Sequence, residues 1–188
     1  MTMTMARFSR LLPLLLLAGV IGAALDDYTS VKRKFSEIET ERLRPGTRVV
    51  MTPRELDAYV TREAPPGVRN PRVELLNGVA KGNAMIDFGK VRRAQGYRPG
   101  WLMSKLLDGE RPVSVTARIR SGNGQATVDV QRVEISGVEI DGKTLDFLIQ
   151  NFLLAMYPTA AVGRPFELGH RIERLEVQPE SVGVVIGK

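Results

Sequence analysis

The chain of 188 residues lacks cysteine and contains a single histidine, His170. Disulfide bonds, thiolate nucleophiles and a lipidated cysteine are therefore excluded, as are zinc sites built from several thiolates or imidazoles. A Ser-His catalytic pair would depend on His170 alone, and no Gly-x-Ser-x-Gly motif accompanies it. We therefore expect a non-enzymatic protein with no catalytic residues, no metal site and no cofactor.

Paired carboxylates are the remaining route to an enzyme, which would be a hydrolase. Glu139 and Asp141 share the polar face of one expected strand, and two such groups can perform acid–base chemistry or bind calcium. Because no second group of ligands accompanies them, we interpret them as surface charges.

Residues 1–24 have the layout of a secretory signal, in which a basic start and a leucine-rich run are followed by small residues at Gly22-Ala23-Ala24. The apolar stretch 11–25 would form about 22 Å of helix, whereas the hydrocarbon core of a bilayer is about 30 Å thick. This difference favours cleavage after Ala24, and an uncleaved anchor that tethers the chain to the inner membrane is the alternative. We expect an exported protein of the bacterial periplasm or cell envelope.

Positive charge is concentrated in one part of the remaining chain. Residues 42–132 hold 17 Lys/Arg and 8 Asp/Glu, whereas residues 133–188 hold 5 and 8. Outside the cytoplasm a basic surface suits an anionic membrane surface, and we do not expect nucleic acid as a partner. The alternative is that these charges form the solvated outer faces of strands.

Two helices are predicted before the first long strand. Residues 25–46 are predicted to be an amphipathic helix and linker, because an apolar stripe recurs at helical spacing in Tyr28, Val31, Phe35 and Ile38. Thr52-Pro53-Arg54-Glu55 fits a capping box with proline at the first helical position, which predicts a second helix from Pro53.

Beyond this helix the apolar period changes from helical to two, which is typical of antiparallel strands with one apolar face. The alternating segments are Val73–Leu75, Ala84–Phe88, Val113–Ile119, Ala126–Val130 and Val133–Ile140, and strands return at Ile172–Val177 and Val182–Ile186. A register slip at Gln131-Arg132 predicts a β-bulge.

Two further helices are predicted between these strands. Leu145–Tyr157 is apolar around nearly its whole circumference, which indicates a helix that is buried or membrane-associated, and a short helix is predicted over Pro99–Leu107. The predicted fold class is therefore α+β, with a highly curved antiparallel sheet wrapped around the long apolar helix and with additional short helices. Residues 47–188 are predicted to form this single domain.

The apolar surface of the Leu145–Tyr157 helix allows two interpretations. The helix lies in a fully packed core, or the sheet and the helix enclose an elongated cavity that accepts acyl chains. The residues predicted to line such a cavity are Phe88, Val115, Ile119, Val128, Leu148, Phe152 and Met156.

The run Val49–Val60, VVMTPRELDAYV, resembles the opening of small bacterial envelope proteins that are grouped with tubular lipid-binding (TULIP-like) domains. The later order of elements is similar, through Arg171–Val177 to the terminal Val182–Ile186 strand, so that the resemblance covers most of residues 47–186. It implies a curled sheet around a helix with a lipid-binding groove, and it supplies no catalytic residues.

These observations predict a non-enzymatic lipid-binding protein of the cell envelope, which acts in lipid transport or envelope maintenance. Its expected partner is a lipid or another apolar ligand. The alternative is an envelope scaffold that binds a partner protein through an exposed sheet edge or its basic face, with a packed core and no ligand.

Overall fold

The chain folds as an α+β protein with antiparallel strands, which confirms the predicted class. This computed structural model describes residues 12–94, 96, 109–154 and 161–188, with residues 12–25 described as backbone only. The helices are α1 (Leu12–Glu39), α2 (Pro53–Arg62), α3 (Phe88–Ala94) and α4 (Gly142–Leu148), and α4 continues as a π-helical turn at Ile149–Leu153. The strands are β1 (Arg48–Met51), β2 (Val68–Leu76), β3 (Val79–Asp87), β4 (Glu110–Gly122), β5 (Gln125–Ile135), β6 (Val138–Glu139), β7 (Phe166–Glu167), β8 (Ile172–Gln178) and β9 (Ser181–Ile186).

The strands form two antiparallel sheets. In the small sheet the order is β1-β9-β8, so that the last strand along the chain is the central one. In the large sheet the order is β2-β3-β4-β5-β6, and β7 also pairs with the start of β5. The large sheet is open, because its described edge strands β2 and β6 do not pair with each other.

A closed core lies between the small sheet and the helices α1 and α2. Its buried side chains come from α1, β1 and β9, and they are Val31, Ile38, Val49, Met51, Val184 and Ile186. The rings of Phe35 and Tyr59 meet edge to face with their centroids 4.8 Å apart, and this contact joins α1 to α2 within the same core.

Helix α1 is uninterrupted over 28 residues and runs through Ala24. The stripe that predicted an amphipathic helix is its packed face, since Val31 and Ile38 are buried in the closed core. A cut after Ala24 would therefore leave Leu25–Glu39 as the first helix of the mature chain.

Within the described residues, no helix combines the length and the apolarity that crossing a membrane requires.

Helix α2 begins with the predicted capping box. Thr52 Oγ1 accepts the Glu55 N–H at 3.3 Å, and Glu55 Oε2 accepts the Thr52 N–H at 2.8 Å. Both partners come from one turn of chain, which is why the sequence alone could predict this helix start.

Glu55 also joins α2 to α1. Its Oε1 accepts hydrogen bonds from Lys34 Nζ at 2.5 Å and from Ser30 Oγ at 2.6 Å, and the residue is 5% exposed. Burial by itself raises the pKa of the Glu55 carboxyl, but the hydrogen bonds from Lys34, Ser30 and the Thr52 backbone outweigh burial and lower this pKa to about 2. Glu55 is thus an ionised group at the contact between the two helices.

The β4–β5 hairpin contains a tight turn and the predicted bulge. Asn123 and Gly124 form its two-residue turn with φ of 51° and 75°, the left-handed values of a type I′ turn. The register shifts opposite Thr116 and Ala117, which confirms the bulge at Gln131-Arg132.

The helix predicted over Leu145–Tyr157 is described as far as Leu154, and its α-helical part begins earlier, at Gly142. This part lies at one end of the large sheet, where Phe152 is buried and Phe147 is 38% exposed. The described residues therefore place one side of this helix against the sheet, and they do not enclose it within the sheet. The helix predicted over Pro99–Leu107 lies outside the described residues.

Candidate functional site

The large sheet separates its side chains into an apolar face and a charged face. Cross-strand partners point to the same side of a sheet, so the register of β2 to β5 assigns each residue to a face. The apolar face consists of Val68, Val73, Leu75, Ala80, Gly82, Ala84, Ile86, Arg111, Val113, Val115, Ala117, Ile119, Ser121, Ala126, Val128, Val130, Val133 and Ile135.

The charged face carries ion pairs within and between its strands. They are Arg120–Asp129 at 2.6 Å, Arg132–Glu134 at 3.0 Å, Arg69–Glu110 at 3.0 Å, Arg132–Glu139 at 3.2 Å and Lys81–Glu74 at 3.9 Å. Many of the basic residues between 42 and 132 are therefore neutralised by carboxylates within the fold. This pairing favours the interpretation that the basic stretch forms solvated outer faces of strands.

The small sheet closes one end of the apolar face, where the β2–β3 and β4–β5 hairpins turn. Ser121 Oγ donates to the Leu175 carbonyl at 2.9 Å and accepts the Leu175 N–H at 2.7 Å. The Gly78 N–H donates to the Val177 carbonyl at 3.0 Å. Strand β8 therefore lies across the hairpin end of this face, and Ala126 at the same end is buried.

A phenylalanine cluster closes the opposite end of the apolar face. It consists of Phe88 and Val91 from α3 and Phe152 from the π-helical turn, and the two phenylalanine rings meet edge to face at 5.1 Å. The partly buried side chains that pack against the cluster are Val68, Ile86, Val113, Ile135 and Leu148.

Asp87 fixes α3 at this end of the sheet. Its Oδ1 accepts the Lys90 N–H at 2.8 Å, and its Oδ2 lies 3.3 Å from Lys90 Nζ. Burial raises the pKa of Asp87, but the hydrogen bonds from Lys90 and the positive charges of Lys90 and Arg93 outweigh burial and lower it below its ordinary value. An ionised carboxylate therefore stabilises the first turn of the helix that carries the phenylalanine cluster.

Between these two ends, no described helix covers the middle of the apolar face, which is lined by small residues and is called the trough below. Ala80, Gly82 and Ala84 lie on β3 and Ala117 lies beside them on β4, and all are half-buried. A Cβ atom added to Gly82 would meet no other heavy atom within 4 Å. Across the described chain, the helices pack mainly on β1, β2 and the end of β3 rather than along β4 and β5.

The trough has the length of the β4 segment from Val113 to Ser121, which is about 26 Å at about 3.3 Å per residue. It lies between the phenylalanine cluster and strand β8. It is therefore a long surface with one apolar wall along its length.

The structure places six of the seven predicted cavity residues in or beside the trough. Val115, Ile119 and Val128 share the apolar face, and Ile119 and Val128 are direct cross-strand partners. The remaining three lie at the phenylalanine cluster, and they are Phe88, Leu148 and Phe152. Met156 lies outside the described residues.

Several residues of the apolar face were missed from the sequence, and two of them, Gly82 and Arg111, bear most on the site. Gly82 continues the small-residue alternation of Ala80 and Ala84, and Arg111 stands two residues before Val113 in the β4 alternation. Extending each period-two pattern by one step would have placed both residues on this face.

The carboxylates considered as a catalytic pair face solvent. Glu139 has a side chain that is 56% exposed and pairs with Arg132, and Asp141 is exposed at the start of α4. His170 is also at the surface, 3.5 Å from a Glu41 oxygen. Among the residues that the structure describes, no group of three or more His, Cys, Asp or Glu side chains is placed to hold a metal ion.

The chain was compared with protein-family models, with curated proteins and with solved structures, and none of them matches it.

Proposed function

We propose that this protein is a non-enzymatic lipid-binding protein that holds an acyl chain in the trough. The observation that carries the proposal is the apolar face of β3, β4 and β5 between two packed ends, where the residues of β3 and β4 are half-buried and Val133 of β5 is buried. Apolar surface left in water costs about 25 cal/mol per Å², and monomeric proteins rarely expose large continuous patches of it. A ligand that covers this face therefore gains free energy from the contact.

The chemistry of the face favours a hydrocarbon chain. The side chains in the middle of the trough are aliphatic or absent, so they offer a ligand no hydrogen bonds. The hydroxyl of Ser121 is satisfied by the Leu175 backbone. The middle of the trough is a long apolar surface without polar groups, and it matches the hydrocarbon chain of a ligand.

The proposal also includes a closer enclosure of the ligand by the Leu145–Tyr157 helix. Leu148 and Phe152 pack against the sheet end at Val113 and Ile135, which supports a sheet that curves around this helix. The resemblance of residues 47–186 to tubular lipid-binding domains supports the same arrangement.

The proposed location is the bacterial periplasm or cell envelope. The signal-like residues 1–24 support export, and a lipid carrier in that compartment would act in lipid transport or envelope maintenance. An anionic membrane surface is proposed as the place where the ligand is exchanged.

The test fills the trough without disturbing the fold. Gly82→Phe adds a ring where a Cβ meets no atom within 4 Å, and glycine is a weak residue inside a strand. Gly122→Phe is the matched control, because Gly122 also has open space and lies at the hairpin end of β4 on the charged face. Both variants are expected to melt within a few degrees of the wild type.

The measurement is detergent-free native mass spectrometry of each protein, purified from host membranes. We expect adducts of several hundred daltons on the wild type and on Gly122→Phe, and we expect at least about tenfold less adduct on Gly82→Phe. Equal loading of the two folded variants would contradict binding in the trough. If no variant carries a lipid but the wild type retains a protein partner that Gly82→Phe loses, the face is a protein-interaction surface instead.

A further inference from the structure

Arg111 is the only charged side chain on the apolar face of the described strands β2 to β5. Its cross-strand partner is Ile86, which packs against the phenylalanine cluster, and the next residue on its own side of β4 is Val113. Arg111 is half-buried. A cation is therefore fixed at the phenylalanine end of a surface that is otherwise aliphatic.

The partners of Arg111 differ from those of three arginines on the charged face. Arg69, Arg120 and Arg132 each have a carboxylate oxygen within 3.0 Å. Within the described residues, no carboxylate oxygen lies within 4.0 Å of the Arg111 guanidinium. The two acidic residues nearest in register, Asp87 and Glu110, are engaged by Lys90 and Arg69 respectively.

A second guanidinium is held at the same end of the trough. Arg92 of α3 lies over the Phe152 ring with its Cζ 5.7 Å from the ring centroid, and its Nη1 donates to the Asn151 carbonyl at 3.1 Å. Arg92 and Arg111 therefore both lie at the phenylalanine end of the trough.

We infer that the ligand in the trough is an anionic amphiphile, whose headgroup oxygens are bound by Arg111 while its chain extends along β4 towards Ile119. This inference rests on the proposed function. A half-buried guanidinium in apolar surroundings is stabilised by an anion, and its planar fork of donors matches the oxygens of a carboxylate or a phosphate. The chain then lies on the aliphatic part of the face, where no charge is present.

The experiment uses three probes that share one chain and differ in headgroup. They are hexadecanoate, hexadecyl phosphate and the neutral hexadecanol, each titrated into delipidated protein and measured by displacement of a fluorescent fatty-acid probe. The wild type is expected to bind the better of the two anions at least about tenfold more tightly than hexadecanol. Whichever anion binds more tightly identifies the headgroup as a carboxylate or a phosphate.

The variants separate charge recognition from chain binding. Arg111→Gln is expected to lower the affinity for both anions to that for hexadecanol, and to leave the affinity for hexadecanol unchanged. Arg118→Gln is the matched control on the charged face of the same strand, and it is expected to change none of the three affinities. Melting temperatures of both variants establish that they are folded.

Two results would overturn the inference while leaving the proposed function in place. One is equal binding of all three probes by the wild type with loss of binding in Gly82→Phe. The other is that the folded Arg111→Gln variant loses binding of the anions and of hexadecanol alike. This would mean that Arg111 only shapes the trough. If the wild type binds no probe at all, both the inference and the proposed function fail.

Discussion

The small sheet and the large sheet use the same aliphatic residue types and bury them to different extents. On β9, Val184, Val185 and Ile186 are 3%, 7% and 3% exposed. On β4, Val115 and Ile119 are only half-buried. The small sheet lies under α1 and α2, whereas the middle of the large sheet has no such cover among the described helices.

We infer from this difference that polar contacts determine which apolar face the helices cover. Helix α1 is held against α2 by the hydrogen bonds from Ser30 and Lys34 to Glu55. The Arg54–Asp27 ion pair at 3.1 Å adds a further contact between the two helices. These contacts have defined geometry, so they fix the position of the helices over the small sheet, while apolar contacts supply most of the free energy. Among the described residues, no comparable set of polar contacts lies along the middle of the trough, and Arg111 is the one charged residue on its face.

The largest expected effect comes from removing the Glu55 carboxylate, which fixes α1 and α2 over the small sheet. Glu55→Ala leaves Lys34 without its anion and removes the capping box of α2, so we expect a loss of about 3–5 kcal/mol in the free energy of unfolding. Glu63→Ala, on the exposed end of the same helix, is expected to cost about 1 kcal/mol or less. Urea denaturation measures both, and similar losses would mean that Glu55 has no special role.

The second effect is the dependence of stability on pH. Because the pKa of Glu55 falls from its ordinary value of 4.5 to about 2 on folding, its contribution is complete above pH 4.5 and is lost as the pH falls to about 2. The difference between these two pKa values corresponds to about 3 kcal/mol in the free energy of unfolding. The difference in unfolding free energy between the wild type and Glu55→Gln should shrink across this range, and a constant difference from pH 6 to pH 2 would contradict the assigned pKa.

The smallest expected effect is the difference in stability between the same Val→Ala truncation in the small sheet and in the large sheet. Val184→Ala removes two methyl groups from the closed core and is expected to cost about 2 kcal/mol. Val115→Ala removes the same groups from the trough and is expected to cost less than about 1 kcal/mol, because this side chain is already partly in water. Urea denaturation of ligand-free protein measures the pair, and equal costs would indicate that the trough is an ordinary packed core.

Local features of this fold were predictable from the sequence, because both partners stand close together in it. Thr52 and Glu55 form their capping box within one turn, and the alternation of Val113 to Ile119 assigns these residues to one face of a strand. The bulge at Gln131-Arg132 was likewise visible as a break in a period.

Features that depend on how distant elements pack were not predictable in the same way. Lys34 reaches Glu55 only because α1 lies against α2, and no spacing in the sequence encodes that approach. The trough was unpredictable for the same reason. The alternation of apolar residues along a strand indicates which residues share a face, but it does not indicate which element covers that face. Phe88 and Phe152 were named for one site because of their apolar character, and their edge-to-face contact required the structure.

The position of β9 in the small sheet has a consequence for the order in which the molecule is made. Arg48 pairs with Val185, and the closed core that contains Val31 also contains Ile186. During synthesis, α1 can meet α2 early through Phe35 and Tyr59, but β1 has no strand partner among the described strands until β9 has been made. The closed core therefore stays incomplete until β9 has left the ribosome, and contacts so distant in sequence slow folding.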